Sequence, residues 1–416
     1  MRLLTKILLV PLLTFAATFA FAQSNNTPFQ HVIIVVQENR TPDNLFGYDL
    51  HEPNGQRRLP NAHLVSSGLC ESGCGCYNNQ NHQQALQALP LATCADPDHS
   101  HAQSQYFPGA WELMYNSGNM NGACMIPDDL LSTCTPVPSC YSSTQGQDTC
   151  MYSYVDNTPG GNGSGIVEPY FQIATNYGYA NWMFQTSQGP SFEAHQFLFT
   201  GTSAPIESGG TGDNCNSGGP CYHKWFASEL LYGDQNTKDY GCVAPAGAVA
   251  LEENTSSNES PGFTPPWFPW TYDAGYPCYD HNTMSDLLEA NGLSWRFYSD
   301  NNANGQWSCA GQDWTNGKIA LNSSQILTDL GADSSTCNLQ PVSWVIPDGT
   351  WSDHPGGGPG TDAGPSWVAA ITNAVGGYWY DSNMQQHQTA CWQRRSDVLA
   401  QHRHPGHLGR LGRLVR

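Results

Sequence analysis

HVIIVVQENR, residues 31–40, carries five consecutive β-branched aliphatics, Val32 to Val36, directly into Gln37, Glu38, Asn39 and Arg40. An unbroken apolar run of this kind predicts a strand buried on both faces of a parallel sheet, since a half-exposed strand would alternate with polar residues. The abrupt switch to polar residues marks the strand's carboxyl end, where open α/β sheets bind ligands. Glu38 and Asn39 therefore become candidates for chemistry. The alternative is that they open a solvated loop.

The pattern recurs. PVSWVIPDG (341–349) is a second buried-strand stretch, and it runs into SDHPGGGPG, which gives His354 the same position beyond a strand end as Glu38. SQGPSFEAHQFLFTG (187–201) reads as a tight turn followed by a helix. Ser191 then stands at a helix N-terminus, where unpaired N–H groups and the helix dipole favour an anion such as phosphate. His195, four residues on, shares its face. Ser191 could equally be an ordinary N-cap.

HNTMSDLLEANGLSWRFYS (281–299) predicts an amphipathic helix with Met284, Leu287 and Leu288 on its apolar face, stopped at Asn291-Gly292 and followed by a strand to Tyr298. GPSWVAAITNAV (364–375) predicts another helix. The alternation of strands and helices implies an α/β fold with a mainly parallel sheet sandwiched by helices. DPDHSHAQ (96–103) sets His99 and His101 beside two acids, a pattern that by itself suits surface decoration as well as a ligand set.

Composition narrows the function. With 35 acidic residues against 15 Lys and Arg, the formal charge is -20, and such a body repels nucleic acid. Residues 1–22, with cations at Arg2 and Lys6, an apolar run and Ala20-Phe21-Ala22 before Gln23, predict a secretory signal peptide and a secreted or periplasmic protein. A membrane anchor would need a longer span, and no later segment is apolar enough to be transmembrane. Fifteen cysteines in an exported chain predict disulfides, with Cys70, Cys74, Cys76 and Cys124, Cys134, Cys140, Cys150 stapling long loops. Cys74-Gly-Cys76 lacks the spacing of a zinc site. One domain is expected over residues 23–377.

HVIIVVQENRTPDNLFG, DPDHSH, GPSFEAHQFLFTGTSAP, TMSDLLEANGLSWRFY and VSWVIPD with SDHP stand in order over most of residues 31–375, and together they resemble the secreted bacterial phosphoesterases. That family includes phosphatidylcholine-type phospholipases C and a group of acid phosphatases, with an alkaline-phosphatase-like fold. The resemblance implies Ser191 as nucleophile, Glu38 and Asn39 beside Ser191 at a divalent metal ion, and His99 and His354 contacting phosphate or handling the leaving-group proton. Carboxylate and amide oxygens suit a hard or borderline cation. The implied substrate is a phosphate ester, a phospholipid among the options. His195 ranks as a site neighbour only.

The family's strand-end motif with two adjacent aspartates should follow residue 375, and no Asp-Asp pair stands there. Instead the chain ends in QHRHPGHLGRLGRLVR, and from residue 385 onward six arginines face a single acid, Asp397. Shifted by one nucleotide, codons permitted for residues 401–416 can read Asn-Thr-Ala-Ile-Leu-Val-Thr-Trp-Asp-Asp-Trp-Gly-Gly-Trp-Tyr. Residues 378–416 are thus expected to be a basic tail out of frame, with Cys391 an out-of-frame residue, a core strand missing and activity lost. Two rivals remain: a non-catalytic phosphate-binding remnant, and a serine hydrolase using Ser191 with His354, which lacks the second glycine of a nucleophile elbow.

Overall fold

A computed structural model describes residues 29–70, 82–93, 95–97, 99, 102–104, 107–108, 126, 128–130, 141–142, 147–148, 152–158, 165–187, 191–204, 225–232, 249–254, 272–279, 281–299, 317–320, 322–332, 336–355 and 363–392. Residues 1–22, read above as a signal peptide, His101, most of the cysteine clusters and the end of the basic tail lie outside them.

Four strands form the central sheet: β1 (Val32–Val35), β2 (Trp295–Tyr298), β3 (Ile319–Ala320) and β4 (Val342–Val345), in the order β1-β4-β2-β3. Every pairing is parallel, with Val32 opposite Val342, Trp295 opposite Val342 and Phe297 opposite Ile319. All carboxyl ends therefore lie along one edge, where β1 runs into Gln37-Glu38-Asn39 and β4 leads toward Ser352-Asp353-His354.

Helices cover both faces. Helix α1 (Glu168–Asn176) belongs to the loop-rich region, and α2 (Ser191–Thr200), α3 (Met284–Ala290), α4 (Gln325–Asp329) and α5 (Gly364–Val375) follow. On one face Phe199 of α2 packs with Trp295, Phe297, Ile319 and Trp344. On the other, Ile326 of α4 and Trp367, Ile371 and Ala374 of α5 pack with Tyr298 and Val345. A third cluster around α1 joins Leu59, Leu91, Val155 and Phe171, and Val368 of α5 touches it and the α4–α5 cluster, binding the loop-rich region to the sheet. The expected α/β class with a parallel sheet between helices is what the chain adopts.

Details depart from expectation. Among the described residues β1 is the edge strand of the sheet: Val32 is 46% and Ile34 36% exposed, so the run is not buried on both faces. Ile33 and Val35 pack into the α4–α5 side, whereas the α2 cluster is centred on β2 and β4. Helix α3 is closed by a capping box between Thr283 and Asp286, and Gly292 at φ +69° stops it as predicted. Yet its Met284 and Leu287 face solvent, and only Leu288 touches the core.

Residues 378–392, the first part of the basic tail, are packed. Strands Tyr378–Tyr380 and Gln386–Gln388 form a hairpin, Thr389 and Ala390 are buried, and Cys391 is disulfide-bonded to Cys337 across 54 residues. A Cβ at Gly331, whose φ is +88°, would come within 2.5 Å of Ala390, so the two segments are in close contact. Cys391 is therefore part of the packed structure, whichever reading frame encodes it. Among the described residues this is the disulfide with both partners present; Cys278 is also bridged. No helix among them is long and apolar enough to cross a membrane.

Candidate active site

The segments after β1 and β4 are stitched together by side chains that contribute no chemistry of their own. Gln37 donates to the Trp351 carbonyl (3.0 Å) and accepts from the Asp353 amide (3.0 Å). Arg40 donates to the carbonyls of Asp353 (2.8 Å) and Leu91 (2.6 Å). The Tyr170 hydroxyl donates to the buried Asp353 carboxylate at 2.5 Å, and burial together with that carboxylate pushes the phenol far up, keeping it protonated. The His354 amide is in turn capped by the Ser352 hydroxyl at 3.1 Å.

Asn39 is the centre of the cluster so positioned. Its φ of +56° lies in the left-handed region, which Asn tolerates better than most residues and a β-branched residue scarcely at all. Its amide nitrogen lies 2.9 Å from His354 Nε2, 3.2 Å from His99 Nε2 and 3.5 Å from Asp96 Oδ1. Asp96 Oδ2 is 3.8 Å from His354 Nε2. The two amide hydrogens are thus directed at two imidazoles.

Both imidazoles are aimed by backbone carbonyls. His99 Nδ1 meets the Pro97 carbonyl at 3.0 Å and His354 Nδ1 meets the Pro355 carbonyl at 2.6 Å. A carbonyl only accepts, so Nδ1 carries the proton and the Nε2 lone pair faces Asn39. Backbone anchoring of one ring nitrogen is also how proteins orient histidines that serve a ligand or a metal through the other.

Helix α2 brings a third imidazole. The buried His195 places Nδ1 2.7 Å from the Ser191 carbonyl, one turn back, and Nε2 3.5 Å from Glu38 Oε1. Glu38 is also 3.5 Å from the Ser352 hydroxyl. Burial pushes the Glu38 carboxyl up, but the hydrogen bond and charge of His195, the charge of His354 and the Ser352 hydroxyl outweigh it, holding the carboxyl below its ordinary range. Two acceptors, a lone-pair Nε2 and a carboxylate oxygen, attract each other only with a proton or another cation between them. The base of α2 is fixed by Ser187, which donates to the buried Glu193 at 3.0 Å.

Of the residues singled out in the sequence, Glu38, Asn39, His99 and His354 come together. Ser191 is joined to them through its carbonyl and His195; among the described residues its hydroxyl makes no hydrogen bond, and no Ser191–His354 contact of the serine-hydrolase kind exists. Three participants carried little signal: Asp96, legible only as one acid of DPDHSH; Ser352, ordinary in composition; and His195, which the helical spacing marked only as a neighbour. The chain's adjacent aspartates, Asp128 and Asp129, lie on the strand Asp128–Leu130, whose register sets Asp129 opposite Asp96.

The donor types fit a divalent cation: an ionised Glu38, the Asn39 amide, Asp96 and imidazole nitrogen are all ligands of hard or borderline metals. Among the described residues, however, no group of three or more His, Cys, Asp or Glu side chains forms a ready metal cage.

No curated protein matches the chain. The model of the phosphoesterase family matches residues 29–383, a span that contains the sheet, both strand-end loops, α2 and every residue of this cluster. Parallel topology, the chemistry at the carboxyl ends and this match agree, and the chain belongs to the phosphoesterase family.

Proposed function

We propose that the chain is a secreted, metal-dependent phosphoesterase of the phospholipase C or acid phosphatase type, using Ser191 as nucleophile. The observation that carries this reading is the Asn39-centred cluster, in which His99 and His354 converge at the ends of β1 and β4 while α2 sets Ser191 one helical turn from the partner of Glu38.

The first residue of α2 is suited to a phosphoryl group, because the free N–H groups and dipole of a helix start attract its oxygens. In the proposed reaction the Ser191 hydroxyl gives up its proton and its oxygen attacks phosphorus as the ester P–O bond breaks. The departing alkoxide takes a proton, and water then cleaves the phosphoserine to release phosphate or a phosphomonoester. His99 and His354 hold the proton-carrying positions: neutral, their Nε2 atoms accept from Asn39, and protonated they donate to a phosphoryl oxygen or the leaving group. His195 and Ser352 orient Glu38. A divalent cation held by Glu38 and Asn39, adjoining Ser191, would supply Lewis-acid charge that lowers the serine pKa and shields the phosphoryl oxygens.

Turnover of p-nitrophenyl phosphate before and after exhaustive chelation, with metal content measured in parallel, tests the reading. Metal-dependent activity that disappears with the metal and returns on its addition is expected of the chain restored to the frame that carries the aspartate pair, and little or none of the chain as encoded. Hydrolysis that survives in metal-free protein would overturn metal dependence.

A further inference from the structure

The segment between α1 and α2 carries a feature the site does not use. Trp182, Met183 and Phe184 are consecutive and 65%, 79% and 76% exposed. Three adjacent large apolar side chains all in solvent are unusual for a folded protein, and such exposure marks an interaction site. The segment is also anchored from beneath: the Asn181 side chain accepts from the His63 amide at 2.6 Å and donates to the Asn61 carbonyl at 2.8 Å. The Trp182 ring lies 4.2 Å from that of His63. This is an apolar tip on a fixed base.

We propose that this tip is a membrane-docking loop that inserts into the surface of a zwitterionic lipid bilayer. Two observations favour lipid over a protein partner. Three side chains of this size bury on the order of 400–600 Å² on this side, below the roughly 800 Å² that each partner contributes to a standard protein interface. A protruding tip of Trp, Met and Phe instead suits the headgroup–acyl boundary, where Trp is enriched and apolar side chains sink below the headgroups.

Charge selects the lipid. The chain as a whole carries -20, which disfavours an anionic membrane. Residues 177–190 and 59–66, however, contain no Asp, Glu, Lys or Arg. The nearby Asp43 carboxylate is engaged by the Val65 amide at 2.8 Å. A face on which Asp43 keeps its charge, on an acidic protein, meets a neutral bilayer with less repulsion than an anionic one. Phe184 precedes Ser191 by seven residues, so at most about 25 Å of chain separates the tip from the start of α2. Docking there would hold the active-site edge near the headgroups. The proposal deepens the phosphoesterase reading, and its test measures binding alone, so either can fail without the other.

The full chain is sedimented with phosphatidylcholine vesicles and with vesicles half phosphatidylglycerol, beside the variant Trp182→Ala/Met183→Ser/Phe184→Ser. The parent should partition onto phosphatidylcholine, bind the anionic vesicles more weakly, and lose at least tenfold in partition in the triple variant. Met183→Ser with Phe184→Ser, which leaves the Trp182–His63 contact intact, should show a severalfold loss at an unchanged melting temperature. Equal binding by parent and variants, no binding by the parent, or stronger binding to the anionic vesicles would overturn the proposal. So would a concentration-dependent dimer in ultracentrifugation that the triple variant abolishes, which would make the tip a contact between copies of the chain.

Discussion

Asn39 and His354 are separated by 315 positions in sequence and by 2.9 Å in space, with the Asn39 amide donating to the imidazole Nε2. This one contact joins the loop beyond β1 to the loop beyond β4, and it depends on a backbone conformation that few residues adopt.

Asn39→Gly should separate the site from the fold. Glycine adopts a φ of +56° without strain, so the melting temperature should hold or rise slightly, while loss of the amide leaves both imidazoles without their shared donor. Phosphomonoester kcat/KM is expected to fall about 10–100-fold, the usual effect of removing an orienting partner. A rate within twofold of the parent would show that the amide is not the hub of the chemistry.

In the frame-corrected protein, Ser191→Ala should abolish turnover with little cost to folding. The hydroxyl makes no hydrogen bond among the described residues, and loss of a serine at a helix start typically costs about 1 kcal/mol. Steady-state kinetics and thermal unfolding of the same preparation check both halves.

For Glu38 the expectation concerns acid. Its carboxyl is held below the ordinary 4.5, so the folded state binds its proton less readily than the unfolded chain does. The resulting stabilisation is fully present above about pH 4.5 and is lost as pH falls through the lowered folded value. Glu38→Gln should therefore flatten the acid limb of the stability curve and also reduce metal content in elemental analysis. A variant that keeps the parent's slope below pH 4.5 would remove this carboxylate from the account.

Cys337→Ser is expected to cost about 2–4 kcal/mol, since the bridge to Cys391 closes a loop of 54 residues. Hydrogen exchange should rise first in the hairpin at 378–388, which meets Gly331 and Leu330 through the amides of Ala390 and Cys391. Unchanged protection there would mean that the buried Thr389 and Ala390 hold the segment without the disulfide.

What the sequence disclosed was chiefly the strand ends. A β-branched run that breaks into Glu38-Asn39, and a second that leads to His354, show their direction and their polar termini in the residues themselves. The edge position of β1 was not legible, because lateral order in a sheet depends on pairings made with distant residues. The outward face of α3 was hidden for a similar reason: Met284 and Leu287 have the spacing of a buried stripe, and what lies opposite them is decided by tertiary packing. Asp96 joins the site through Asn39, held in a left-handed turn, and through His354, and contacts between distant segments leave no periodic trace.

The three imidazoles are each aimed by a carbonyl from their own stretch of chain: Pro97 for His99, Pro355 for His354 and Ser191 for His195. A main-chain oxygen is present whatever side chain its residue carries, so ordinary substitution at those positions cannot delete the acceptor. Ring orientation is in this sense sheltered from mutation. Variation that silences the protein should accordingly concentrate on the side chains that gather the rings, Asn39 and Glu38 foremost, while the short segments that point them can drift in sequence and keep their aim.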